Sequence, residues 1–163
     1  MNLQVLSAEL LGELSSKAQA SPRMRQHLNI HRDYEDPCQR FLNAIGVDSY
    51  IRPHRHALDP KAETIFAIRG LFALVVFDDE GDIVRIDKFG TEGLCGNAGV
   101  ELAASTWHTV VALTPYAVAL ELKAGPFMPD AAKEPAPWAP AEGSPDAVAY
   151  LRFLKDAIGH DVD

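Results

Sequence analysis

The residues of this chain best suited to chemistry are three histidines and a carboxylate. His54 and His56 flank a single residue, Arg55. Successive side chains of a β-strand point to opposite faces, so the two imidazoles project from one face, close enough to share one ion, while Arg55 points away. Past the turn-forming pair Asp59-Pro60, Glu63 opens the next strand. Its carboxylate reaches the same point if the two strands are neighbours. His108 comes from a much later strand. Three neutral imidazoles and a carboxylate form a mixed nitrogen and oxygen set. It suits one divalent transition ion per chain (Zn, Fe, Mn, Ni or Cu) better than Mg or Ca, which want oxygen ligands.

These residues need a scaffold, and the pattern around them is that of short strands. Val5, Leu6, Leu10, Leu11 and Leu14 fall at helical spacing behind a capping Ser7, which predicts one helix over 5–19, stopped by Pro22. From 24 to 57 the pattern loosens into extended, polar and aromatic residues that end in an alternating segment, Tyr50 to His56. The runs 62–69 and 71–77, separated by Gly70, and the run 83–89 after the turn Asp78 to Asp82 read as a β-meander. A glycine-rich loop over 90–99 leads to strands at 100–103, 107–113 and 117–123. The run Pro126 to Pro145 is too rich in proline for a strand and reads as an irregular strap, before a last helix over 145–158. The expected fold is all-β, a sandwich or barrel with helices at its ends. The expected organisation is a helix over 1–21, a barrel over 22–126 and the strap with its helix over 127–163, in one structural unit.

Bulk properties narrow the partners. With 163 residues, 47% of them apolar, the chain suits one core. A formal charge of -8 repels phosphate backbones and anionic lipid surfaces, which argues against nucleic acid and membrane. No stretch approaches the roughly 20 apolar residues of a bilayer span, and no basic, apolar leader opens the chain, so a cytoplasmic location is expected. The two cysteines, Cys38 and Cys95, lack the spacing of a thiolate metal site and read as free thiols.

Strand parity indicates what else shares the interior. Tyr50 and Arg52 fall on the face of His54 and His56. In the last strand Ala117, Ala119, Glu121 and Lys123 alternate with Val118, Leu120 and Leu122, the latter expected to pack against the other sheet. Glu121 as a base and Tyr50 as an acid are the catalytic candidates. Lys123 and the guanidinium groups of Arg25, Arg40 and Arg52 are the candidates for binding an anionic or sugar-like substrate. Trp107 reads as a core aromatic beside a ligand and Trp138 as an anchor for the strap. His27, His31 and His160 carry no spacing signal and read as surface or structural.

The order His54-x-His56, Glu63, Gly70 and then Trp107-His108 resembles the two motifs of the cupin superfamily, with a gap between His56 and Glu63 longer than the family norm. More of the chain resembles one branch, the WbuC family of cupin-fold metalloproteins. The motifs are Pro22-Arg-x-Arg25-x-x-x-Asn29-x-His31, Asp36-Pro-x-Gln-Arg40-x-x-Asn-Ala44, Tyr50-x-x-Pro-His-Arg-His56, Glu121-x-Lys123-x-Gly-Pro126 and Ala136-Pro-Trp-Ala-Pro-Ala-Glu142. The resemblance implies a double-stranded β-helix, a jelly-roll barrel, with a metal held by His54, His56, Glu63 and His108. It also implies a link to surface polysaccharide (O-antigen, lipopolysaccharide) biosynthesis. The expected activity is metal-dependent isomerase, epimerase or lyase chemistry on a small polar or sugar-derived substrate. The alternatives are a non-catalytic small-ligand binder and an iron-dependent oxygenase. A homodimer is expected, since small jelly rolls tend to cover exposed sheet faces by pairing.

Overall fold

The computed structural model describes residues 3–160. The first helix, α1 (Ala8–Ala20), starts where the Ser7 hydroxyl accepts from the Leu10 amide, an N-cap that takes up one orphan donor of the first turn. Ten strands follow: β1 (Arg25–Asn29), β2 (Cys38–Ile45), β3 (His54–Arg55), β4 (Glu63–Arg69), β5 (Leu71–Phe77), β6 (Ile83–Gly90), β7 (Gly99–Leu102), β8 (Trp107–Ala112), β9 (Ala117–Ala124) and β10 (Glu134–Pro135). The last helix, α2 (Pro145–His160), closes the described chain. All pairings are antiparallel and build two sheets in the orders β1-β2-β9-β4-β7 and β10-β3-β8-β5-β6. This is the cupin jelly roll that the motifs imply.

The meander expected over 62–89 is only half present. β5 and β6 pair as a hairpin, but β4 lies in the other sheet. A one-residue link cannot reverse the chain between neighbouring strands. Gly70 instead adopts φ +85° and carries the chain from one sheet to the other. A Cβ at Gly70 would meet the Thr114 hydroxyl at 2.5 Å. The same crossing occurs between β3 and β4, and again between β8 and β9. β1 and β2, which the sequence pattern left as loose extended chain, are full members of the first sheet.

Each sheet is covered on its outer face by a helix. Leu11, Leu14 and Ala18 of α1 pack on Leu42, Ala44 and Val118, and Leu120 adds to that cluster. Val118 and Leu120 therefore lie beneath α1, which corrects the expectation that they meet the other sheet. Leu151, Leu154 and Ile158 of α2 pack on Ala73, Val75 and Phe77. Burial of β5 on both faces explains why its sequence is a continuous apolar run rather than an alternating one. The interior between the sheets is graded. Ala112, Ala117 and Ala119 meet Phe72 and Phe89 at one end, and along the same inner faces the residues become polar at His108, Glu121, Lys123 and Glu63. One end of the barrel is a dry core and the other holds the site.

Candidate metal centre

His54 and His108 are cross-strand partners in β3 and β8, with ring centroids 4.6 Å apart. His56 follows directly after β3, its ring 5.2 Å from that of His54 and 5.7 Å from that of His108. Each ring is fixed through Nδ1 to a backbone carbonyl: His54 to Arg52 at 3.1 Å, His108 to Thr106 at 2.9 Å and His56 to Ala132 of the strap at 2.6 Å. A carbonyl only accepts, so each Nδ1 carries the proton and donates it. In a neutral ring this leaves Nε2 with its lone pair, which is how outer hydrogen bonds prepare imidazoles for a metal. One donor atom from each of the three rings lies within 4.8 Å of the other two, so the three histidines can bind a metal ion.

Glu63 falls outside that mutually close set but touches two of its members, with Oε2 3.1 Å from His56 Nε2 and 3.3 Å from His108 Nε2. It arrives from the opposite sheet, not from a strand neighbouring β3 as the sequence pattern suggested. The loop 57–62 spans the gap between the sheets, so the long spacing after His56 still delivers the carboxylate. Two lone pairs and a carboxylate oxygen facing one another favour a cation beside them. In this structure the Lys123 ammonium holds that place, 2.8 Å from Glu63 Oε1 and 3.1 Å from His56 Nε2, while the three close imidazoles offer nitrogen donors. The donor set thus fits a divalent transition ion.

The electrostatics follow from this crowding. Burial, reinforced by His108, holds the His54 imidazole well below its ordinary 6.5 and hence neutral. Burial would raise the Glu63 carboxyl. The Lys123 ammonium at 2.8 Å overcomes it and holds that carboxyl well below 4.5. Glu121, which accepts from Asn43 Nδ2 at 2.7 Å, is pushed up to about 8 by burial and by the neighbouring Glu63 charge. A carboxyl that titrates near neutrality can both give and take a proton.

A cavity of about 330 Å³ opens onto these groups. It brings together His54, His56, Glu63, His108, Glu121, Lys123 and Arg25 from among the residues singled out by sequence. Arg25 is committed, however: it bonds the Tyr50 carbonyl at 2.9 Å and both carboxylate oxygens of Glu142 at 2.6 Å. Three candidates lie elsewhere. The Tyr50 hydroxyl donates to the Pro140 carbonyl at 2.9 Å and its ring joins the core under α2. The Arg52 guanidinium binds the Ala136 carbonyl of the strap. Arg40 pairs with Asp36 at 2.9 Å on the surface. Parity placed Tyr50 and Arg52 beside the histidines, but the ladder begins only at His54, and the irregular chain before it turns Ile51 to the cavity instead.

Sequence reading missed several lining residues. His27 and His31, read as surface or structural, both line the cavity, as do Lys61 of the crossing loop and Phe127, Met128 and Lys133 of the strap. The one available signal was the density of polar residues in 25–43. The cavity is also cationic: Arg23, Arg25, Lys61, Lys123 and Lys133 face Asp59, Glu63 and Glu121, inside a chain of net charge -8.

Residues 6–88, 83 of the 163 residues, match the family described as Domain of unknown function (DUF6016). The chain belongs to the DUF6016 family. No curated protein matches this DUF6016 chain at a significant level. Among solved structures, an oxalate oxidase in complex with the substrate analogue glycolate superimposes with a TM-score of 0.55 at 8% identity, covering 88% of this chain and 77% of the other. Protein SO0799 from Shewanella oneidensis does so with 0.54 at 10% identity, covering 84% and 85%. An RmlC-like cupin protein from Desulfovibrio desulfuricans gives 0.44 at 16% identity, covering 61% and 81%. At these identities the likeness is one of fold.

Proposed function

We propose that this DUF6016 protein is a metal-dependent enzyme that moves a proton within a small anionic, sugar-derived or keto-acid substrate, by isomerase, epimerase or lyase chemistry. The observation that carries the reading is the trio of Nδ1–H bonds to backbone carbonyls, which aims three imidazole lone pairs at one point. A divalent ion held by His54, His56 and His108, with Glu63 as fourth ligand, supplies Lewis acidity toward a substrate carbonyl or hydroxyl oxygen. Glu121 lines the same cavity, held in place by Asn43, and is the group that takes up and returns the proton. Lys123 and Lys133 provide charge for an anionic substrate, while Ile51, Ile65 and Val110 form an apolar wall that limits water. The cationic lining inside an acidic protein supports an anionic ligand. The chain-wide resemblance to WbuC cupins supports a sugar-derived one.

The test is deuterium incorporation. Protein loaded with Zn²⁺, Mn²⁺ or Fe²⁺ is incubated in D₂O with a panel of keto sugars and sugar acids and read by NMR. Exchange at carbon beside a carbonyl, lost in Glu121→Gln, is the expected result. Metal uptake with no exchange across the panel would instead identify a ligand-binding cupin, and oxygen uptake by the Fe²⁺ form would identify an oxygenase.

A further inference from the structure

Lys123 stands between the metal donors and the rest of the cavity. It faces Glu63 directly across β4 and β9, and its ammonium is 2.8 Å from Glu63 Oε1 and 3.1 Å from His56 Nε2. An ammonium has only donors, so its contact with His56 uses the Nε2 lone pair that the Ala132 hydrogen bond leaves available. That lone pair and that carboxylate are the same groups a divalent ion held here would use. Two cations cannot share one lone pair, and at such a separation inside a protein they repel strongly. The lysine stem is flexible and its side chain keeps 20% of its surface exposed, so the ammonium has somewhere to go.

We infer that Lys123 exchanges partners: it gives up His56 and Glu63 when a divalent ion is bound there, and then carries its charge to the carboxylate of a small ligand in the cavity. The inference rests on the metal-binding reading above. Lys123 takes this role because it touches both Glu63 and His56; Lys133 also lines the cavity, but among the described residues it makes no ion pair with Glu63. Arg25 is tied to Glu142, and Lys61 to Asp59 at 2.5 Å. A single ammonium pairs with one carboxylate oxygen, whereas Arg25, the buried guanidinium fork that would suit a phosphate, is already taken. Ion binding and anion binding are therefore coupled through one side chain, the first releasing the group that the second needs.

Two titrations test it, with Co²⁺ alone as the ion and glycolate as the carboxylate probe. Lys123→Met should bind Co²⁺ about tenfold more tightly than the native chain, because a competing charge is gone. Glycolate, followed through the visible band of bound Co²⁺, should bind the Co²⁺-loaded variant about tenfold more weakly than the loaded native chain. Equal or weaker Co²⁺ binding by the variant overturns the exchange while leaving the metal reading intact. Equal glycolate affinity overturns the anchoring role. A native chain that takes up no Co²⁺ overturns both. Lys123→Gln, with circular dichroism of both variants, separates these effects from misfolding, since both neutral substitutions must shift both affinities in the same directions.

Discussion

The imidazole of His56 donates to the carbonyl of Ala132 at 2.6 Å, so a ring beside β3 and the proline-rich strap meet in one hydrogen bond. The strap is clipped nearby by Arg55, which binds both carboxylate oxygens of Glu134 at 2.9 and 3.1 Å. Outer partners of ligating histidines typically affect metal affinity by about 10- to 100-fold. Glu134→Ala loosens the clip without touching a donor, so it should weaken Co²⁺ binding by up to about tenfold with stoichiometry unchanged. Competition with a chromophoric chelator measures it. Native affinity in a variant whose strap has become sensitive to protease would show that Ala132 does not orient the ring.

Removing a histidine should act differently. His108→Ala deletes a donor whose Nε2 has no substitute at that position in β8, and bound metal should vanish from elemental analysis of the purified protein. Retention of one ion per chain in that variant would count against the three-histidine centre.

The pair Arg25–Glu142 fixes the far end of the strap to β1. Burial opposes ionisation of Glu142, but its hydrogen bonds to Arg25 and the Arg25 charge prevail and hold the carboxyl below its ordinary 4.5. A carboxyl with a lowered folded-state pKa takes its proton first in the unfolded chain. Its stabilisation is thus complete above pH 4.5 and is lost as the pH falls below that value. Glu142→Gln leaves Arg25 buried without its partner and should cost about 2–3 kcal/mol at pH 7. The gap between variant and native chain should narrow toward pH 3, as read by urea unfolding at both pH values. A gap independent of pH would mean the two side chains act by packing alone.

Gly81 is a second place where no side chain fits. It sits at φ +96°, and a Cβ there would lie 2.6 Å from Trp138 Cδ2. Gly81→Ala should therefore destabilise the fold by about 2–3 kcal/mol and shift tryptophan emission as Trp138 is pushed from Phe77 and Trp107.

The histidines were legible because period-two spacing survives even in a strand as short as His54–Arg55. The helix at the amino end was legible through Ser7 and its leucines, and most barrel strands through their β-branched runs. What failed did so for identifiable reasons. β2 buries residues on both faces over Leu42 to Ile45, so it shows no alternation to find. Gly70 looks like a hairpin turn in one dimension and is a change of sheet in three. The Ala132 contribution is a backbone carbonyl, which leaves no mark on side-chain pattern. The cationic cavity was hidden because net charge sums over a surface that the interior does not resemble.

The crossings between sheets bear on how the barrel comes together. The donors belong to three separate pieces of chain: His54 and His56 around β3, Glu63 at the start of β4 in the facing sheet, and His108 on β8, far along the sequence. No local fragment assembles more than two of the imidazoles. A slip of one residue between β3 and β8 would turn His108 toward α2. Capture of an ion thus serves as a register check, satisfied only by a chain whose two sheets have closed on each other in the correct alignment.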